Sequence, residues 1–511
     1  MSLAVIQTLA EQGIAAPEVS VEVHLTGGLP AFSMVGLPEA AVRESRDRVR
    51  SAIINSNFEF PRKKITVNLA PADLPKEGGR YDLAIAIGIL AASGQVRIDQ
   101  LNETVFFGEL ALSGELRRTR GVLIAALSLI AKQQQFIVPI ANRKEAALAP
   151  QVTVFGAAHL LDVVAHLNGV KTITTVPENL EDEEPRAESQ ETKAASLDLS
   201  DIKGQSYAKH ALEIAAAGEH NILLVGPPGT GKTMLASRFV NLLPDLPDEQ
   251  ALQSAALNSL GQDGVNLDTW RARPFRSPHH SASAAAIVGG GSKALPGEIS
   301  LAHNGVLFLD ELTEFDRKVL ESMREPLESG EVSISRATHR NVYPSKFILV
   351  AAMNPCKDGF YGDRQFPDRC SCTPAQIQQY RSKISGPMLD RIDMHIEVPR
   401  VSQAILSAPA DKEPCTASIK ARVVRARAVQ IKRQSCLNSE LPVKQIESVC
   451  TLDEATNKVL NNAIERLGLS GRAYHRILKL ARTIADLANA ENIQQTHVMQ
   501  AIQLRSFDRV L

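Results

Sequence analysis

The sequence predicts a mixed α/β protein built around a parallel sheet, and three observations carry this prediction. The stretch NILLVGPPGTGKTMLASRFVNLLP is an apolar run, a glycine-rich loop and an amphipathic run in succession. Two further apolar runs, VLFLDE and FILVAAMNP, follow with helix-like stretches between them. Strands that alternate with helices form parallel sheets covered by helices on both faces. The end of the chain lacks strand signals, which predicts a helical C-terminal region.

Bulk composition narrows the class of protein. The chain has 511 residues, 44% hydrophobic and 22% charged, as in a globular protein of two to four domains. MSLAVIQTLAEQGI has no basic region before its apolar residues, and no apolar run is long enough to span a bilayer, so we expect a cytoplasmic protein. Six cysteines do not make a disulfide framework. A net charge of −1 argues against a protein that coats nucleic acid with its whole surface.

An acidic segment divides the chain. TTVPENLEDEEPRAESQETKAASLDLSD carries almost no large apolar side chains, so it cannot bury enough surface to fold and is expected to be a linker. We therefore predict a first domain at 1–170, a linker at 171–200, a P-loop core at 201–400 and a helical domain at 401–511.

The first domain mixes both kinds of local pattern. VSVEVHL, KKITVNLA and TVFFGELAL have strand-like composition, whereas EAAVRESRDRVRSAIINS has apolar residues near helical spacing. DLAIAIGILAASG predicts a buried helix that ends at a glycine. Near the other end of the chain, Thr496 is the expected N-cap of the last helix.

The glycine-rich loop matches the pattern G-x-x-x-x-G-K-[ST] in the required strand–loop–helix context. It consists of Gly226, Pro227, Pro228, Gly229, Thr230, Gly231, Lys232 and Thr233. Its backbone amides and the following helix N-terminus are expected to bind the phosphates of ATP. Lys232 would reach the β- and γ-phosphates, and Thr233 would bind Mg²⁺.

Polar side chains follow the two later strands. Asp310 and Glu311 end VLFLDE, and Asn354 follows FILVAAM. Asp310 is expected to hold Mg²⁺ and Glu311 to polarise the attacking water. Asn354 would hydrogen-bond the γ-phosphate or that water, although an Asn before Pro is also an ordinary turn residue.

Two later stretches supply arginines that could neutralise the charge developing on the γ-phosphate. The candidates are Arg391 in SGPMLDRID and Arg472 in LSGRAYHR. Spacing alone does not separate these two from Arg476.

Taken together, these motifs resemble those of the AAA+ ATPases of the magnesium-chelatase-like branch, and within it the bacterial ComM/YifB family. The resemblance runs through nearly the whole chain, in GLPAFSMVGLPEAAVRESRDRVRSAI, DIKGQ, RPFRSPHHSAS, GEISLAHNGVLFLDE, MREPLESGEVSISRA and RSKISGPMLDRID. It implies that Arg391 is a finger acting on the neighbouring subunit, that Arg472 is the sensor arginine of a helical lid, and that Asn354 is the first sensor. It also implies a ring, expected to be a hexamer, and an ATP-driven DNA helicase that promotes branch migration in recombination during natural transformation, with recombination proteins as possible partners.

The resemblance also assigns a part to GEVSISRATHRNVYP, because in this branch a β-hairpin precedes the first-sensor strand and projects into the central pore. Arg336, His339 and Arg340 would then gather around one axis and bind DNA phosphates without sequence preference. FRSPHHSAS, with His279 and His280, is either a second pore element or a loop that packs between subunits. A purely structural hairpin is the alternative.

The first domain resembles the proteolytic domain of Lon, which is related to a ribosomal-protein fold. The matching stretch is PKEGGRYDLAIAIGIL, and Tyr81 stands where Lon-type proteases have their nucleophilic Ser. A tyrosine cannot replace that compact hydroxyl in a Ser–Lys dyad, so the domain is expected to lack protease activity. DNA handling and ring assembly both remain open for it.

A zinc site is a further hypothesis. Cys356, Cys370 and Cys372 lie in NPCKDGFYGDRQFPDRCSC, where relatives often show C-x-C at both ends. Asp358 stands where the first pair would have its second Cys, so the candidate ligands are three thiolates and a carboxylate. Reduced thiols in a loop are the alternative.

Two functions compete with a DNA translocase. One is an ATPase subunit that remodels a partner enzyme, as magnesium chelatase subunits do; stimulation of ATP hydrolysis by DNA alone would discriminate. The other is ATP-dependent proteolysis, which Tyr81 disfavours.

Overall fold

The computed structural model describes residues 2–36, 42, 44–97, 99, 101–132, 134–175, 197–261, 264–291, 294–335, 340–363, 365–407 and 414–505. Packing divides them into two units. The first is drawn from Met1–Pro185, Asp248–Trp270 and Ser335–Val342, and the second from Arg186–Pro247, Arg271–Ile334 and Tyr343–Leu511. The predicted linker falls largely on residues outside this description.

The described elements run as follows. The strands are β1 Leu3–Leu9, β2 Glu18–Thr26, β3 Ala31–Val35, β4 Lys64–Ala70, β5 Thr104–Phe106, β6 Glu109–Leu110, β7 Leu116–Arg117, β8 Gln135–Pro139, β9 Thr153–Ala157, β10 Ile222–Val225, β11 Phe275–Arg276, β12 Gly289–Gly290, β13 Leu295–Pro296, β14 Val306–Leu309, β15 Glu331–Ser335, β16 Arg340–Pro344, β17 Ile348–Met353 and β18 Met394–Glu397. The helices are α1 Ser45–Asn55, α2 Asp82–Ala92, α3 Val122–Ser128, α4 Arg143–Ala146, α5 Leu160–Leu167, α6 Ser206–Gly218, α7 Lys232–Phe239, α8 Asp248–Ser259, α9 Ala284–Val288, α10 Glu298–Leu301, α11 Arg317–Ser322, α12 Pro326–Ser329, α13 Pro374–Arg381, α14 Gly386–Leu389, α15 Gln403–Leu406, α16 Thr416–Gln434, α17 Val443–Val449, α18 Glu454–Leu467, α19 Gly471–Leu487 and α20 Gln495–Gln503.

The first unit is a mixed seven-stranded sheet in the order β3-β4-β2-β1-β5-β8-β9. The predicted buried helix is confirmed as α2, all of whose residues are buried. It packs on β1 and β2, which alternate buried and exposed residues as a one-sided sheet requires. Tyr81 immediately precedes α2 and is fully buried, which raises the pKa of its phenol to about 12.

Two local predictions are wrong. TVFFGELAL is not one strand: β5 ends at Phe106, and β6 pairs with β7 in a separate sheet. Between them the amide of Gly108 donates to the carbonyl of Arg80, which takes the chain out of the large sheet. Thr496 lies inside α20, whose N-cap is Gln494 in a capping box with His497.

The second unit is built on a five-stranded sheet in the order β11-β14-β17-β10-β18, whose described pairings are all parallel. β10, β14 and β17 are buried at every position, as expected for strands covered on both faces. The predicted parallel sheet is therefore confirmed. The C-terminal part of the unit is helical as predicted, and α16 and α19 pack against α6 in the same hydrophobic core as the sheet.

Candidate nucleotide-binding site

The predicted phosphate loop lies at the carboxyl end of β10, between that strand and α7. Gly229 and Gly231 have φ values of 77° and 88°, which a residue with a side chain rarely adopts. At Gly226 the constraint is space, since a Cβ would lie 2.2 Å from the carbonyl oxygen of Val398. These glycines allow the backbone to close around a phosphate-sized anion at the start of a helix.

Lys232 is the first residue of α7, and its amine lies inside the loop. Nζ donates to the carbonyl oxygens of Gly226 at 2.7 Å and Pro227 at 2.9 Å, and to Oδ1 of Asn354 at 3.2 Å. Burial lowers the pKa of this amine to about 8. Its partners are neutral acceptors, so a phosphate oxygen would be a stronger one.

A hydroxyl and a carboxylate meet beside this amine. Thr233 Oγ1 lies 2.7 Å from Asp310 Oδ2 at the end of β14. The other carboxylate oxygen of Asp310 accepts from the amide of Glu311 at 2.9 Å. Oxygen donors of this kind fit Mg²⁺, which is held by one or two protein groups together with phosphate oxygens. Thr233 and Asp310 are the residues that would hold the ion.

Glu311 stands in the left-handed backbone region, with a φ of 52°. Its Oε2 lies 3.1 Å from Nδ1 of His280. His280 and His279 are predicted DNA-binding residues, and the two rings lie 4.1 Å apart. The structure thus brings Glu311, the predicted water-activating carboxylate, into contact with a histidine that the sequence analysis assigned to DNA binding.

Two site residues were missed by sequence reasoning. Gln205 donates to the carbonyls of Thr230, in the phosphate loop, at 3.2 Å and of Pro399 at 2.7 Å. Arg400 forms a 2.6 Å ion pair with Asp363 and is one of the charges that lower the pKa of Lys232. Gln205 lies in DIKGQ, a stretch that the family resemblance includes without giving it a role, whereas no pattern in the sequence marks Arg400.

The two predicted arginines lie at the opposite edge of the same sheet. Arg391 precedes β18, which pairs in parallel with β10, and its carbonyl accepts from Asn221 just before β10. Asn221 and Gly226 are five strand steps apart, roughly 16 Å at about 3.3 Å per residue. Arg472 lies near Arg391, because both approach Glu328. Neither arginine is brought to the phosphate loop of its own chain.

The predicted hairpin is only partly described. β15 and β16 form a two-stranded sheet. Arg336 and His339 lie outside the described residues, and Arg340 is the first residue of β16, with its side chain outside the description.

The three predicted zinc-binding thiols do come together. The sulfurs of Cys356, Cys370 and Cys372 all lie within 4.8 Å of one another. Those of Cys356 and Cys370 are 3.6 Å apart, close to the separation of two sulfurs on a tetrahedral zinc. Asp358 accepts from the amide of Ser371 at 3.1 Å and contacts Cys372.

Fold and site together define an AAA+ P-loop protein with a helical C-terminal region. Three protein-family models match the chain. The model described as "Magnesium chelatase, subunit ChlI" matches residues 198–406, "Subunit ChlI of Mg-chelatase" matches 21–142, and "Magnesium chelatase, subunit ChlI C-terminal" matches 413–505. Competence protein ComM of Haemophilus influenzae is 49% identical over 511 residues, covering 100% of this chain and 99% of that protein.

The uncharacterized protein YifB of Escherichia coli is also 49% identical over 511 residues, which cover 100% of this chain and 98% of that protein. The magnesium-chelatase 67 kDa subunit of Chlorobaculum parvum is 27% identical over 159 residues, 31% of this chain and 23% of its own. The chain belongs to the ComM/YifB family of magnesium-chelatase-like proteins.

Among the described residues, no helix combines the length and the apolar character that crossing a bilayer requires.

We expect ATP binding to take up a proton above about pH 8, where the Lys232 amine of the free protein is largely neutral. A bound polyphosphate favours the charged amine, so affinity should fall as pH rises through that value. Calorimetric titrations of the magnesium–ATP complex in two buffers of different ionisation enthalpy measure this uptake. Lys232→Arg, which stays charged, should show none; equal uptake in that variant would contradict the assignment.

Proposed function

We propose that this chain forms a ring that hydrolyses ATP to move DNA, and that it promotes branch migration in homologous recombination during natural transformation. The observation that carries the proposal is the separation of Lys232 from Arg391 and Arg472 by the length of β10. To stabilise a γ-phosphate, either of these two arginines would have to reach the nucleotide of a neighbouring subunit. The similarity to a competence protein supports the biological setting, and a cytoplasmic hexamer remains part of the proposal.

In the hydrolysis step, Lys232 would bind the β- and γ-phosphates while Thr233 and Asp310 would hold Mg²⁺. The ion would neutralise charge that develops on the phosphate oxygens. Glu311 would polarise the attacking water, with Asn354 within reach of the γ-phosphate through its contact with Lys232. His280 contacts the same Glu311 carboxylate that would polarise the water. Binding of DNA to the FRSPHHSAS loop would therefore also change the rate of ATP hydrolysis.

DNA binding would fall to the hairpin of β15 and β16. The chain as a whole is near neutral, so a polyanion needs a place where cations are concentrated. A ring would gather Arg336, His339 and Arg340 from every subunit around one axis. No aromatic residue stands at the tip, so phosphate contacts rather than base stacking are expected. The first unit is proposed to be a Lon-like domain without protease activity.

We expect Arg336→Ala/Arg340→Ala to abolish strand displacement on branched DNA while ATP hydrolysis without DNA stays near the wild-type rate. Removing these cations removes phosphate contacts but leaves the nucleotide site intact. The matched control is Arg425→Ala/Lys432→Ala, which removes two exposed charges from α16.

Unchanged unwinding in the hairpin variant would remove the hairpin from the mechanism. A wild-type protein whose ATP hydrolysis ignores DNA altogether would favour remodelling of a partner enzyme instead. Lys232→Ala should lose both hydrolysis and strand displacement.

Mixed assemblies test whether the arginine acts between subunits. Lys232→Ala and Arg391→Ala should each be inactive alone, because one lacks the phosphate lysine and the other the charge supplied to its neighbour. Mixing the two should restore part of the ATP hydrolysis. At some seams, the interfaces between neighbouring subunits, an intact phosphate loop then faces an intact arginine.

The control mixture pairs Lys232→Ala with the double variant Lys232→Ala/Arg391→Ala, in which no seam is complete. A mixture as inactive as this control, or an active Arg391→Ala protein alone, would show that Arg391 does not act in trans.

We further propose that Cys356, Cys370, Cys372 and Asp358 hold Zn²⁺. Protein purified without chelator should contain about one zinc per chain, as a four-ligand structural site does. Cys372→Ser should lose the metal, whereas Cys415→Ser, at an exposed cysteine outside the cluster, should retain it. Elemental analysis measures both. Metal-free wild-type protein with three reactive thiols would establish the reduced-loop alternative.

A further inference from the structure

The two arginines proposed to act on a neighbour share one carboxylate in their own chain. Oε1 of Glu328 lies 2.6 Å from Nη2 of Arg391 and 3.9 Å from Nη1 of Arg472. The Arg391 side chain is 7% exposed, whereas those of Glu328 and Arg472 are 48% and 64% exposed. Glu328 therefore faces an open surface while holding the buried guanidinium of Arg391.

Arg391 also binds the backbone just ahead of the helix that carries Glu328. Its Nε donates to the carbonyl of Arg324 at 3.0 Å, two residues before α12 begins at Pro326. One guanidinium thus contacts both the start of this short helix and a side chain near its end. The position of α12 consequently depends on where the Arg391 side chain lies.

α12 leads directly into the hairpin. Gly330, with a φ of 71°, ends the helix and donates to the carbonyl of Pro326 at 2.9 Å, and β15 begins at the next residue. The carbonyl of Gly330 accepts from Ser345 at 2.7 Å, just beyond the end of β16. A movement of α12 would therefore reach both strands at the base of the hairpin.

A carboxylate and a phosphate compete for the same guanidinium donors. Both accept charge-assisted hydrogen bonds in the fork geometry of arginine, and a γ-phosphate carries the greater charge. When nucleotide occupies the neighbouring seam, Arg391 and Arg472 cannot bind it fully while keeping Glu328. Glu328 is already half exposed, so water can replace the lost contact.

We propose that Glu328 is a positioning residue that couples the nucleotide at one seam to the hairpin of the adjoining subunit. It holds the two arginines when the facing γ-phosphate is absent and releases them when it is present, so that α12 and the base of β15 move with each turnover. This inference rests on the proposed function, because it uses the arginines in trans and the hairpin on DNA.

The test compares Glu328→Gln with Glu325→Gln, a control in the preceding turn whose side chain is exposed. Hydrogen exchange of the backbone amides at 328–333 is measured with and without a non-hydrolysable ATP analogue, in the absence of DNA. In wild type and Glu325→Gln the analogue should change exchange at these amides. In Glu328→Gln that change should shrink about tenfold, the size expected when one charged hydrogen bond is lost.

A second readout is ATP hydrolysis with and without branched DNA. Glu328→Gln should keep the KM for ATP, raise the rate without DNA, and lower the ratio by which DNA stimulates hydrolysis. A purely structural role would alter assembly rather than this ratio. If Glu328→Gln assembles poorly, Glu328→Asp takes its place in the comparison. The shorter aspartate side chain keeps the negative charge but holds the carboxylate farther from Arg391.

The proposal would be overturned if the ATP analogue did not change hydrogen exchange at 328–333 in wild type. It would also be overturned if the analogue changed that exchange equally in Glu328→Gln. Failure of the proposed function looks different, because DNA would then fail to stimulate hydrolysis in wild type and both variants alike. A nucleotide response lost in Glu328→Gln alone would still support the coupling in that case.

Discussion

The structure of the second unit depends on one constraint: a four-residue parallel strand, Ile222–Val225, separates two charged edges of a sheet. The phosphate loop and Lys232 lie where the strand ends, and Asn221, Arg391 and Asp393 lie where it begins. All strands in a parallel sheet point the same way, so every loop at one edge follows a strand and every loop at the other precedes one. The phosphate loop and Arg391 therefore lie at opposite ends of the same strand.

Burial sets the chemistry of the loop edge. The Lys232 amine is held by neutral oxygens in a largely buried place, which brings its pKa to about 8. A bound polyanion would add negative charge beside this amine, so its binding and the protonation of Lys232 would be linked. The hydroxyl–carboxylate pair of Thr233 and Asp310 forms beside it because β10 and β14 end at the same edge. The candidate catalytic groups thus follow separate strands, and the sheet sets the distance between them.

At the opposite edge the arginines are already paired with carboxylates of the same chain. Arg391 is buried against Glu328, and Arg476 is paired with Asp393. Buried charges of this kind are stable only while paired, so any new anionic partner must replace an old one.

The sequence by itself determined the elements and the chemistry that depends on neighbours along the chain. The glycines at 226, 229 and 231 with Lys232 and Thr233 are contiguous, and the apolar runs of β10, β14 and β17 marked a parallel sheet. Only the tertiary structure showed that His280 contacts Glu311 and that Gln205 and Arg400 lie near the phosphate loop. It also brought three cysteines into one cluster and both Arg391 and Arg472 to Glu328. Local patterns reflect backbone preferences and burial within a few residues, whereas these contacts join side chains far apart in sequence. Their geometry is fixed by the packing of the whole unit, because strand order and helix placement decide which loops meet.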